Sequence, residues 1–194
     1  MRALLVLSLL FVSIQTAPEE AMSTTSRRLI DDFSGPASSM GPRWESFSDR
    51  VMGGRSDVEA RLVGEEENGV LHLGGRVSLE NNGGFIQARL VLSQGGKPYD
   101  ASGFRGITLR VRGSGGGYYI HIRTSRTVFP WSFYGQRIPV TGEWRTVHLP
   151  FRDFESENML PSRLNPAGLR SVAIVAAKEN FFSDLSVDWI AFTR

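Results

Sequence analysis

Polar and apolar residues alternate with a period of two along most of this chain, the pattern of strands with one buried face. It is clearest in Ile107–Arg112, where Ile107, Leu109 and Val111 oppose Thr108, Arg110 and Arg112. Tyr118–Thr124 repeats it, with Tyr118, Ile120 and Ile122 opposite Tyr119, His121 and Arg123. The pattern predicts further strands over Leu29–Phe33, Trp44–Phe47, Val58–Val63, Val70–Leu73, Arg76–Leu79, Phe85–Leu92, Trp144–Leu149 and Leu185–Phe192. Val172–Ala177 is apolar without interruption, as expected of a central strand covered on both faces. Alternation also assigns Trp144 and Trp189 to the core. Gly64–Gly69, with its Asn68-Gly69 pair, and Asn81–Gly84 read as turns. Asn158–Leu169 has room only for a short helical turn, because Pro161 and Pro166 interrupt it. About ten short strands with glycine-rich connections predict an all-β fold, a β-sandwich of jelly-roll type.

The beginning of the chain departs from this pattern. Arg2 precedes an apolar run, Ala3–Ile14, too short for a membrane-spanning helix of about 20 residues and suited to a secretory signal. We expect a signal peptide over residues 1–21, cleaved after Ala17 or Ala21, a flexible lead-in over 22–28 and one domain over 29–194. The expected location is exported, periplasmic or secreted, with no stable membrane span once the signal is removed.

Composition narrows the chemistry. Basic residues number 22 against 20 acidic, a net charge of +2, and they are scattered, which argues against a nucleic-acid partner. There is no cysteine, so thiol catalysis and cysteine-based zinc sites are excluded. His72, His121 and His148 lie singly in predicted strands without metal-ligand spacing, and no cofactor is implied. Glycine pairs at Gly53-Gly54 and Gly83-Gly84 invite a phosphate-loop reading, but they lie between strands rather than before a helix, so turn geometry accounts better for them. Among the acidic pairs, Asp31-Asp32 reads as surface and Asp188 as an anchor for a turn or an arginine. The strongest binding candidates combine arginines with aromatics: Arg89 and Arg123 in strands, and Trp131 in the cluster after Pro130. Arg50 and Arg55 join them because the glycine-rich run presents them.

Five stretches carry a family resemblance: Asp49–Ser56 (DRVMGGRS), Ser78–Phe85 (SLENNGGF), Gly106–Gly113 (GITLRVRG), Trp144–Phe151 (WRTVHLPF) and Val187–Ile190 (VDWI). In this order and spacing they resemble the complex I intermediate-associated protein 30 family. That resemblance implies a galactose-binding-like β-sandwich, related in shape to carbohydrate-binding modules, and a non-catalytic role. Eukaryotic members are mitochondrial assembly factors, whereas this chain begins with an apparent export signal. The chain departs from the family pattern at Lys178–Asp184, where Gly-Pro-Phe is usual, and in the segment after Phe154.

The resulting expectation is an exported binding or assembly-support module without catalytic activity. It would recognise a protein partner or a carbohydrate on one sandwich face, through Arg50, Arg55, Arg89, Arg123 and Trp131. A carbohydrate-binding module is the alternative, and a jelly-roll hydrolase or lyase a further one.

Overall fold

A computed structural model describes residues 27–63, 69–92, 95–158, 160 and 162–194. The expected signal peptide, most of the lead-in and the Gly64–Asn68 part of the expected turn lie outside these residues. Among the described residues twelve strands form: β1 (Arg27–Asp31), β2 (Trp44–Ser48), β3 (Asp57–Val63), β4 (Val70–Val77), β5 (Phe85–Val91), β6 (Gly106–Gly113), β7 (Tyr118–Thr124), β8 (Phe133–Arg137), β9 (Arg145–Pro150), β10 (Glu155–Glu157), β11 (Leu169–Ala177) and β12 (Phe181–Thr193).

They make two six-stranded sheets, antiparallel at every named pairing. One runs β3-β4-β12-β6-β9, with β1 beside the second half of β12; the other runs β10-β8-β7-β11-β5-β2. The expected β-sandwich is therefore present. Its core lies between the sheets, where Leu73, Ile86, Leu90, Leu109, Ile120, Ile174 and Ile190 are fully buried. Each such side chain contributes about 1.5–3 kcal/mol by leaving water.

The expected central strand also forms. On β11, Val172, Ile174 and Ala176 point into the core, while Ala173, Val175 and Ala177 point outward yet stay buried beneath Phe85 and Tyr119. This second apolar layer explains the unbroken hydrophobic run.

Several expectations need correction. Val70–Leu73 and Arg76–Leu79 are not separate strands: β4 runs through Gly74-Gly75. At Gly75 φ is +133°, and a Cβ there would lie 2.0 Å from the Asp57 carbonyl oxygen, so glycine permits close approach within the sheet instead of ending the strand. β1 begins two residues earlier than expected, pairing Arg27 with Thr193 and Arg28 with Phe192.

Asp31 is not a surface residue. It is 2% exposed and accepts hydrogen bonds from Trp44 Nε1 at 2.7 Å and from the Phe33 amide at 3.0 Å. Burial raises its carboxyl above the usual range despite those bonds. Nor are Trp144 and Trp189 core residues. Both are half-buried, with the Arg110 and Arg112 guanidinium carbons 5.0 and 4.8 Å from the Trp144 ring and that of Arg27 5.2 Å from Trp189. The aliphatic stems and charged forks of the arginines cover the rings from the solvent side.

Candidate functional site

The two glycine-rich runs fold onto one side chain. Asp49, 0% exposed, opens the short 3-10 turn Asp49–Met52. Its carboxylate accepts hydrogen bonds from the Ser56 hydroxyl at 2.5 Å and from the amides of Ser56 at 2.9 Å, Gly84 at 2.5 Å and Phe85 at 3.3 Å. A Cβ at Gly54 would meet the Asp49 carboxyl carbon at 2.3 Å, and one at Gly83 its Oδ2 at 2.5 Å. Glycine is required on both sides because backbone closes around the carboxylate. Burial alone would push Asp49 up, but the Ser56 hydroxyl and the three amides outweigh it and hold the acid below the ordinary range. This is a saturated structural clamp joining the start of β3 to the β4–β5 connection.

Arg50 and Arg55 surround the clamp and face water. Arg50 pairs with Asp57 at 2.5 Å and donates to the Ser56 carbonyl at 3.2 Å; Arg55 pairs with Glu80 at 3.1 Å. Neither reaches Arg89 or Arg123, so the five expected contact residues divide into two groups.

Arg89 and Arg123 line one cavity, and Trp131 is linked to them through Phe129. Across this face of the sheet, Ala173 lies between Arg89 of β5 and His121 of β7, and Ser171 between Val91 and Arg123. Arg89 pairs with Glu45 at 2.9 Å, and its guanidinium carbon lies 4.9 Å from the Phe47 ring. Arg123 donates to the Phe129 carbonyl at 2.9 Å. Phe129 and Trp131 are stacked almost parallel, 5.2 Å apart at 6°, and 53% and 54% exposed. Burial, followed by the charges of Arg89 and Arg170, lowers the Arg123 guanidinium from its usual value.

Four contributors were not singled out from the sequence. Arg170 joins the arginine cluster because β11 bulges: Leu169 pairs with Thr124 and Ser171 with Arg123, leaving Arg170 as the extra residue. Thr127 lines the same cavity, and Phe129 forms half of the exposed ring pair. His121 lies flat on Phe133, 3.7 Å away, and its buried Nε2 has no hydrogen-bond partner. Burial, reinforced by the Lys178 charge, pushes this histidine down to about 3, so it is neutral at physiological pH. Lys178 lies over Tyr119 at 5.4 Å and pairs with Glu157 at 3.7 Å. Strand alternation already sets His121 on the face of Arg123, but a bulge leaves no period-two signal for Arg170.

The other histidines lie elsewhere. His72 contacts Asp184 at 2.9 Å, and His148 contacts Thr108 at 2.8 Å. Asp188 anchors Arg110 at 2.6 Å, as expected. Among the described residues no three His, Asp or Glu side chains gather as a metal site, and no helix is long and apolar enough to cross a membrane.

This architecture, a sandwich of two antiparallel six-stranded sheets, is that of carbohydrate-binding-module-like β-sandwiches. Residues 32–184 match the model of the complex I intermediate-associated protein 30 family, and the chain belongs to that family. No curated protein matches. The fold is similar to the family 11 carbohydrate-binding module of the cellulosomal cellulase Lic26A-Cel5E of Clostridium thermocellum, with TM-score 0.68 and 15% identity over 89% of this chain and 97% of that one. The Clostridium thermocellum family 11 module in complex with a β-1,3-1,4-mixed-linked tetrasaccharide gives TM-score 0.67 and 18% identity, over 88% and 97% of the two chains. A family 30 carbohydrate-binding module gives 0.52 and 15%, over 77% and 81%.

Proposed function

We propose that this protein is a non-catalytic, exported carbohydrate-binding module that holds its ligand along the outward face of the sheet containing β11. The observation that carries this reading is the Phe129–Trp131 pair. It offers two exposed, parallel rings beside Arg123, whose guanidinium donates to the Phe129 carbonyl. A sugar ring presents a flat C–H face and a belt of hydroxyls, so it suits an aromatic plane bordered by guanidinium donors. Two carboxylates on this side of the sandwich, Glu45 and Glu157, are engaged by Arg89 and Lys178. The mixed-linked tetrasaccharide held by the family 11 module supports a glycan ligand on this fold, and the Ala3–Ile14 apolar run supports export to where glycans occur. Family membership favours a second reading, a protein partner on the same face.

The test is polysaccharide affinity electrophoresis of the purified protein and its Trp131→Ala variant. Wild type is retarded by at least one polysaccharide, and loss of the ring weakens the interaction about tenfold. Unchanged retardation in the variant, or none by any polysaccharide, rejects the glycan reading; capture of a protein that Trp131→Ala abolishes would favour the second.

A further inference from the structure

A cavity of about 250 Å³ is lined by Arg89, Arg123 and Arg170 together with Thr124, Thr127 and Ser171. No carboxylate lines it. Of the three guanidinium groups only Arg89 has an ion-pair partner, Glu45, which is itself well exposed. Arg123 spends one donor on a carbonyl, and the Arg170 side chain makes neither ion pair nor hydrogen bond among the described residues. Arg89 Nε is buried with no partner at all. Three like charges at one end of a sheet repel each other, and a guanidinium carries five donors in a fixed fork that matches the oxygens of an anion. The β11 bulge is what brings Arg170 to this face, beside Ser171.

The cavity borders the exposed Phe129–Trp131 pair, since Arg123, which lines it, donates to the Phe129 carbonyl. A ligand that spans both therefore has an anionic group at one end and a ring-bearing body against Trp131. We infer that the ligand is an acidic oligosaccharide whose uronate carboxylate or sulfate ester is gripped by Arg89, Arg123 and Arg170. The inference rests on the glycan reading above and adds the charge that selects among glycans.

The experiment measures affinity, by calorimetry at low and high salt, for oligosaccharides from a neutral β-glucan, from polygalacturonate and from a sulfated galactan. Wild type is expected to bind an acidic ligand at least about tenfold more tightly than the neutral one, with the preference shrinking at high salt. The galacturonate and sulfated arms identify the anion. Arg170→Ala, at an exposed position, is expected to remove most of the preference while keeping the affinity for neutral glycan, and Arg170→Lys to recover part of it.

Equal affinity for neutral and acidic ligands, unchanged by Arg170→Ala, overturns the inference and leaves the glycan reading standing. Failure of every saccharide to bind overturns both. Binding of inorganic sulfate alone, or of a phosphorylated peptide in preference to any saccharide, also overturns the inference.

Discussion

Asp49 and the Arg89–Arg123–Arg170 cavity are both concentrations of charge in a sandwich built mostly of apolar strands, and they treat that charge in opposite ways. The Asp49 carboxylate, wholly enclosed, meets four donors, a hydroxyl and three amides, drawn from two loops. The cavity gathers three guanidinium groups around solvent with one carboxylate, Glu45, beside them. A polar group with every bond made by its own chain has no capacity left for a ligand, and its removal costs the fold. Polar groups with spare donors cost the fold through mutual repulsion, and an anionic ligand would relieve it. The difference teaches that conspicuous sequence motifs and binding capacity need not coincide. The paired glycines surround the saturated site, while one of the arginines that completes the open one is carried by an inconspicuous bulge.

The largest expected effect comes from emptying the saturated site. Asp49→Ala leaves the Ser56, Gly84 and Phe85 amides buried without acceptors, and a loss of about 3 kcal/mol is expected in urea unfolding. Asp49→Asn keeps the shape but loses the charge, and should cost less. The pH dependence follows from the direction of the shift. A carboxyl whose folded value is depressed contributes stability that is complete above the unfolded aspartate value of about 4 and is lost as pH falls through the lower folded value. The gap between wild type and Asp49→Asn should therefore narrow on acidification. A constant gap from neutral to strongly acid pH would mean that the charge of Asp49 contributes nothing, and the contrast with the arginine cavity would fail.

An intermediate effect is expected from giving the cavity its own counter-charge. Arg170→Glu places a carboxylate among Arg89 and Arg123, turning an open site into a filled one. Stability should rise by about 0.5 kcal/mol, a small figure because these groups are partly exposed, while acidic-ligand binding disappears. Thermal unfolding and calorimetry read the two outcomes separately. A variant that is less stable and still binds acidic ligand would contradict the idea that the cavity is under-neutralised.

The two sites were not equally legible in the sequence. Tyr118–Thr124 is recovered residue for residue, because strict alternation on a half-buried strand leaves a period-two trace. Ile107–Arg112 is recovered within one residue at each end, as β6. Trp144 was misplaced by the same rule: a large aromatic in an alternating stretch satisfies the pattern equally well under Arg110 and Arg112 on the outward face. Asp49 gave no signal of burial, since Gly84 and Phe85, which donate to it, lie 35 and 36 residues along the chain. Arg89, Arg123 and Trp131 were singled out because charge within a strand and aromatics beside a proline are visible locally. Arg170 was not, because only the register shift between Leu169 and Ser171 turns it outward.

The smallest expected effect concerns Arg50 and Arg55, which the sequence places on equal footing with Arg89 and Arg123. Their guanidinium groups belong to neither kind of site: each already has a carboxylate partner, and each ion pair is more than half exposed on both sides, 65% and 53% for Arg50–Asp57 and 62% and 59% for Arg55–Glu80. Exposed pairs of this kind contribute about 0–1 kcal/mol, because water and salt screen them and the long side chains lose rotamer freedom in forming them. Arg50 has a further bond to the Ser56 carbonyl, next to the Asp49 clamp, so Arg50→Ala should cost slightly more than Arg55→Ala. Neither residue lines the arginine cavity, so neither substitution should alter affinity for any saccharide in the calorimetric series. The double variant Arg50→Ala/Arg55→Ala decides the point: a stability change of about 1 kcal/mol or less with unaltered glycan affinity confines ligand recognition to the face over β11. A marked loss of glycan affinity in that variant would instead extend the binding surface across to the loops around Asp49, and the division between a saturated and an open site would no longer describe this molecule.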